Sequence, residues 1–173
     1  MAGSLIKIAE TTVSSATASV TLTGIDSTYD VYKFVINNAT PDTDNVSSQF
    51  RVTESGTPNT TANYDRAVVT LKSNTSFSDD ALTNQTFFYA DTQNSGTSTG
   101  EQLNSIQYIF NANNSSEFTF MTTEVTHFQV SAVLMGQQGG YVFTSASAVD
   151  GVQFFYSSGN IASGTFTLYG LKK

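Results

Sequence analysis

Wherever apolar residues gather in this chain they recur at every second position, and that period confines it to strands. Ala16, Ala18, Val20 and Leu22 alternate with Thr17, Ser19, Thr21 and Thr23, which marks a strand with one buried face, closed by Gly24. Residues 29–36, Tyr-Asp-Val-Tyr-Lys-Phe-Val-Ile, are apolar on both faces apart from Asp30 and Lys33, as a central strand requires. Further strands are expected at 5–9, 49–53, 67–71, 86–90, 106–110, 117–121, 127–134, 141–143, 152–156 and 165–171. No stretch repeats apolar residues at helical spacing over three turns, and the one helical candidate is a turn near residues 78–82.

Clusters of turn formers separate these runs: Asn37-Asn38-Ala39-Thr40-Pro41-Asp42, Ser55-Gly56-Thr57-Pro58-Asn59, Asn113-Asn114-Ser115 and Ser157-Ser158-Gly159-Asn160. Ser, Thr and Asn number 22, 26 and 13 in 173 residues, yet 13 Phe and 8 Tyr supply bulk, so the chain is polar without being disordered. A chain of this size buries roughly 70% of its unfolded surface, enough for one self-sufficient core. Many short strands without intervening helices predict an all-β fold: an antiparallel β-sandwich, jelly-roll-like, of about a dozen strands. Residues 1–173 are expected to form a single domain. The one compositional break is 91–102, Asp-Thr-Gln-Asn-Ser-Gly-Thr-Ser-Thr-Gly-Glu-Gln, which reads as a long exposed loop.

Composition narrows the chemistry. With no Cys there is no disulfide, thiolate nucleophile or Cys-bound metal. Seven basic residues against 14 acidic ones, for a net charge of −7, exclude general attraction to nucleic acid or to an anionic membrane. No signal peptide or membrane span is readable, and no phosphate-binding glycine motif occurs. His127 is the only histidine. Strand alternation groups it with Gln129 and Ser131 opposite Phe128 and Val130, which predicts a surface or interface histidine rather than a base for a serine nucleophile. Asp42-Thr43-Asp44-Asn45 opens like a calcium loop but lacks the glycine and spaced glutamate that would complete one, and Asp79-Asp80 is equally bare. Such acids are expected to be turn formers. Sequons at Asn38, Asn45, Asn59, Asn74, Asn84, Asn113 and Asn114 follow from composition alone. No catalytic residue, metal site or cofactor is predicted.

The last segment combines Gly151-Val152-Gln153-Phe154-Phe155-Tyr156, a Ser/Gly/Asn turn, an Ile161-x-x-Gly164 step and a closing Phe166-Thr167-Leu168-Tyr169-Gly170 strand. This ending resembles that of a group of tailed-bacteriophage virion proteins, and the aromatic opening of residues 25–36, Gln49-Phe50-Arg51-Val52 and the pair Asn63-Tyr64 agree with the same pattern. The resemblance implies a β-sandwich on the outside of a virion, on the head shell or at the host-contacting end of the tail. It carries over no catalytic residue. On the residues themselves, Val152, Phe154 and Tyr156 share one face of a hairpin with Phe166 and Leu168 on its return, the pattern of a buried aromatic layer. Gly164 and Gly170 fit points of positive φ or close approach.

A virion component with few charges, many hydroxyls and abundant aromatics is suited to docking. No shaft or attachment region precedes the sandwich, so the expected function is a capsid decoration or cement protein that binds the major capsid protein from outside and stabilises the shell. A homotrimer at local threefold positions is the expected arrangement. Residues 1–7 are expected to serve as a docking arm, with Leu5, Ile6, Tyr29, Tyr32, Phe154, Tyr156, Gly164, Phe166, Leu168, Tyr169 and Gly170 as the structural and docking candidates. The alternative is a tail-associated tip that binds a receptor or host surface carbohydrate through polar loops such as 37–45 and 91–102.

Overall fold

The computed structural model describes residues 4–172, and it is built from 13 strands with no helix among the described residues. In chain order they are Leu5–Val13 (β1), Ser19–Thr23 (β2), Val31–Pro41 (β3), Ser48–Glu54 (β4), Thr57–Pro58 (β5), Tyr64–Lys72 (β6), Phe77–Gln85 (β7), Phe88–Tyr89 (β8), Leu103–Phe110 (β9), Thr119–Phe128 (β10), Leu134–Phe143 (β11), Gly151–Tyr156 (β12) and Ile161–Leu171 (β13). A wide sheet has the order β1-β13-β3-β9-β10-β11-β6-β7, and a narrow one the order β2-β12-β4-β5 with β8 also on β4. Every pairing is antiparallel.

Alternation is strictest in β10, where Thr119, Met121, Thr123, Val125 and His127 are buried and every residue between them is exposed. One face of the wide sheet therefore meets the narrow sheet and the other meets solvent. The two sheets interlock through rings: Phe50 of β4 lies 6.4 Å from Phe34 of β3 and 5.6 Å from Tyr141 of β11, while Phe154 of β12 lies 5.1 Å from Phe166 of β13.

Two expected elements are corrected. Residues 127–134, read as one strand, are instead the end of β10, the hairpin turn at 129–133 and the first residue of β11: the amides of Gln129 and Ala132 donate to Val133 and Gln129 carbonyls, and Ala132 takes φ 58°. Alternating Phe128, Val130 and Ala132 imitated a strand across the turn. Residues 78–82, read as a helical turn, belong to β7, an edge strand with no apolar face for periodicity to reveal. Gly164, at φ 142°, lets the chain pass Ala39, where a side chain would meet the backbone at 2.9 Å. At Gly170 the Tyr29 ring occupies the side-chain position, 2.3 Å from where a Cβ would lie.

Candidate functional site

The outward face of the wide sheet carries a trough of about 620 Å³. Its lining runs from Glu10 on β1 to Leu71 on β6, six strand intervals apart, or about 29 Å of sheet at roughly 4.8 Å per strand. One depression touches residues that far apart only if the sheet curls around it, as the twist of a wide antiparallel sheet produces. Val35 and Ile106 are apolar lining residues, opposite one another in register, and Gly136 has nothing within 4 Å of where a side chain would begin. Around them stand Asn37, Asn104, Glu124, Thr126, Gln138, Thr165, Thr167 and Tyr169. Some of these are committed to the fold: Thr126 donates to the Met135 carbonyl, and Asn104 accepts the Asn38 amide and donates to the Gln102 carbonyl.

The trough holds two carboxylates in different settings. Glu10 accepts from Lys7 Nζ at 2.9 Å and from the Thr167 hydroxyl at 3.1 Å, and the Lys7 hydrogen bond foremost holds its carboxyl below the usual range. Glu124 is exposed and has no hydrogen bond or ion pair with any described residue. Four strand intervals separate the two, about 19 Å along the sheet, whereas the acid pair of a glycosidase stands roughly 5–9.5 Å apart. Compared with family models, curated proteins and solved structures, the chain matches none.

A second polar cluster lies inside the sandwich, and it corrects the expectation of a surface histidine. His127 is buried, with Nε2 3.4 Å from Asp91 Oδ2 and Nδ1 2.9 Å from the Phe128 carbonyl. A carbonyl only accepts, so Nδ1 carries a proton and Nε2 faces the acid. Burial pushes Asp91 up to about 8 and lowers His127, so both favour their neutral forms. Ser48 Oγ donates to Asp91 Oδ2 at 3.2 Å and lies 2.8 Å from Ser95 Oγ; Arg66 donates to the Asp91 carbonyl at 2.9 Å. The serines bind the acid and not the imidazole, the reverse of what nucleophile activation needs. Residues 91–102 are accordingly not a freely exposed loop: Asp91, Ser95 and Glu101 are buried, and Ser95 exchanges two backbone hydrogen bonds with Val46.

The acids of the calcium-like loop are structural. Asp42 accepts from the Asn160 amide at 2.8 Å and its side chain at 2.9 Å, and Asp44 accepts from the Thr97 amide at 3.1 Å. No group of three metal-ligating side chains occurs among the described residues.

The docking candidates separate by place. Tyr32, Phe154, Tyr156, Phe166, Leu168 and Gly170 are interior and cannot touch a partner. Of the arm at residues 1–7, residues 1–3 lie outside the described ones, and Leu5, Ile6 and Lys7 pair with Leu171, Gly170 and Tyr169 as the start of β1. Leu5 and Ile6 are exposed, Tyr29 is half-buried beside them, and Gly164 sits in a bulge of β13. Tyr169 alone among the candidates lines the trough. Asn37 belongs to the 37–45 segment expected to carry carbohydrate contacts, whereas Glu124 and Gln138 were missed. Alternation marks them as outward, but no sequence signal says that the face they share is curved.

Proposed function

We propose that this chain is a structural protein of a tailed-phage virion exterior, docking on the outside of the capsid as a decoration protein that stabilises the shell. One observation carries the reading beyond the terminal resemblance. At one end of the wide sheet's outer face, Leu5 stands opposite Leu171, and Val31 stands opposite Phe110, which faces Phe120, itself opposite Val142. Leu5 is 45% and Phe120 48% exposed. An apolar row of this kind suits burial against a protein partner. Copies of the chain, arranged as trimers, would bridge neighbouring major capsid proteins and resist outward pressure by the apolar area they bury.

The test is stoichiometry on purified particles. Hundreds of copies per virion, reduced several-fold in Leu171→Glu/Phe120→Glu with the fold intact by circular dichroism, are the expected result; unchanged occupancy in that variant would overturn the docking face. The trough favours a second reading, a tail-associated tip that binds a receptor or carbohydrate, for which the copy number would be a few to a few dozen.

A further inference from the structure

We infer that the trough on the wide sheet is a binding site for a neutral glycan chain laid across the strands, which deepens the carbohydrate-binding reading by naming the site and ligand class. Several independent features converge on that ligand. The first is charge. The only ionisable lining residues besides Tyr169 are Glu10 and Glu124, and the lining contains no Lys or Arg. Lys7 and Lys33 flank Tyr169 on its neighbouring strands, Lys7 held by Glu10 and Lys33 over the Tyr108 ring at 5.4 Å. An anionic polymer would meet an unpaired carboxylate at Glu124 and a protein of net charge −7.

The second feature is the kind of hydrogen bonding on offer. Asn37, Glu124 and Gln138 are exposed and their side chains have no partner among the described residues. Two amides and a carboxylate present donors and acceptors together, which matches hydroxyls that are themselves donors and acceptors. A carboxylate accepting from a hydroxyl is the stronger, charge-assisted kind. Tyr169, half-buried between Lys7 and Lys33 as cross-strand neighbours, offers a ring against which the apolar face of a sugar packs.

The third is what the trough lacks for a peptide. Of the strands that line it, β13, β3, β9, β10, β11 and β6 are each paired on both sides, so along most of its length an added strand has nothing to pair with, and only the edge of β1 borders it at the Glu10 end. Its volume is in the range of small-ligand sites, its length suits an extended chain, and the apolar lining is confined mainly to Val35, Ile106, Leu71 and Gly136. That apolar strip offers a surface on which the less polar faces of sugar rings pack.

The experiment is a printed array of neutral and acidic glycans probed with the full chain, followed by affinity electrophoresis in the best neutral polysaccharide. Gly136→Leu fills the open space above the trough without strain, because nothing lies within 4 Å of the new Cβ. Tyr169→Ala removes the stacking ring, and Glu124→Gln removes the charge but keeps the shape. Binding to neutral glycans, weakened at least about tenfold by Gly136→Leu and by Tyr169→Ala with unchanged Tm, is expected. Silence on every neutral glycan, preference for acidic ones, or full binding by Gly136→Leu would each overturn the proposal. Copy number on the particle is read separately. A tail location with a silent array defeats this site alone, and glycan binding by a protein present in hundreds of copies defeats the tail reading alone.

Discussion

The interior of the sandwich is of two kinds, and β10 and β11 run through both. Near Met121 and Tyr141 the sheets meet through rings: Phe88 stacks on Tyr141 at 5.0 Å and meets Tyr64 edge-on at 4.8 Å, with Phe50 and Phe143 completing the layer. A few rungs along the same strands, the inward positions are Thr123, Gln137 and His127, facing Ser48, Asp91 and Ser95. The aromatic part needs no particular protonation state and gains from every contact. The polar part leaves Asp91 Oδ1, His127 Nε2, Gln137 Oε1 and Tyr156 Oη without a hydrogen-bond partner, so it adds specificity and pH sensitivity rather than stability. One fold thus divides its tasks: rings hold the sheets together, and the polar cluster fixes residues 91–102 against them.

The sharpest break of this contrast is Phe50→Ala. Phe50 is fully buried at the centre of the ring layer, and its removal is expected to cost about 3–5 kcal/mol, roughly 10 °C in Tm. A loss below about 1 kcal/mol in a denaturant titration would mean that the aromatic end is not what holds the sheets.

Next comes the pH response of the polar end. Asp91 ionises near 4 in the unfolded chain and at about 8 in the fold, so the folded state binds the extra proton and stability falls as pH rises through that window. His127 is lowered by burial, so its contribution has the opposite sign and is complete by its unfolded value near 6.5. Between about pH 6.5 and 8 only Asp91 acts, and a loss on the order of 2 kcal/mol is expected there. Arg66, Glu101, Tyr141 and Tyr156 also face the pair, and burial raises both tyrosines above that window. Asp91→Asn should flatten the profile; equal slopes for variant and parent, followed by urea midpoints at pH 6.5 and 8, would refute a proton retained on Asp91.

The smallest effect belongs to the outer face. Lys7→Ala removes a fully exposed ion pair to Glu10, and no measurable change in Tm is expected, since solvent and salt screen such pairs. A clear loss would show that β1 is held by more than its pairing with β13.

Strand content was legible because an antiparallel sheet with one wet face writes itself as alternation. Residues 31–36 of the run read at 29–36, and all of 165–171, fell inside β3 and β13 on that basis, and Gly164 and Gly170 were readable as close-approach points. The signal failed where alternation was absent or misleading. β7, Phe77–Gln85, has no apolar face, and alternation counted on through the turn at 129–133 assigned the wrong surroundings to His127. Polarity misled at 91–102, because Asp91 and Ser95 are buried by satisfying one another and not by being apolar.

By itself the sequence determined the class of fold, the inward side of the clearly alternating strands, and the absence of cysteine chemistry. Those follow from local periodicity and composition, which act over a few residues. Only the tertiary structure decided that Glu10, Asn37, Glu124, Gln138 and Tyr169 share one curved face, and that Asp91 meets His127 from 36 positions away. Both depend on the order of strands in a sheet and on its twist, and these are set by how the whole chain pairs.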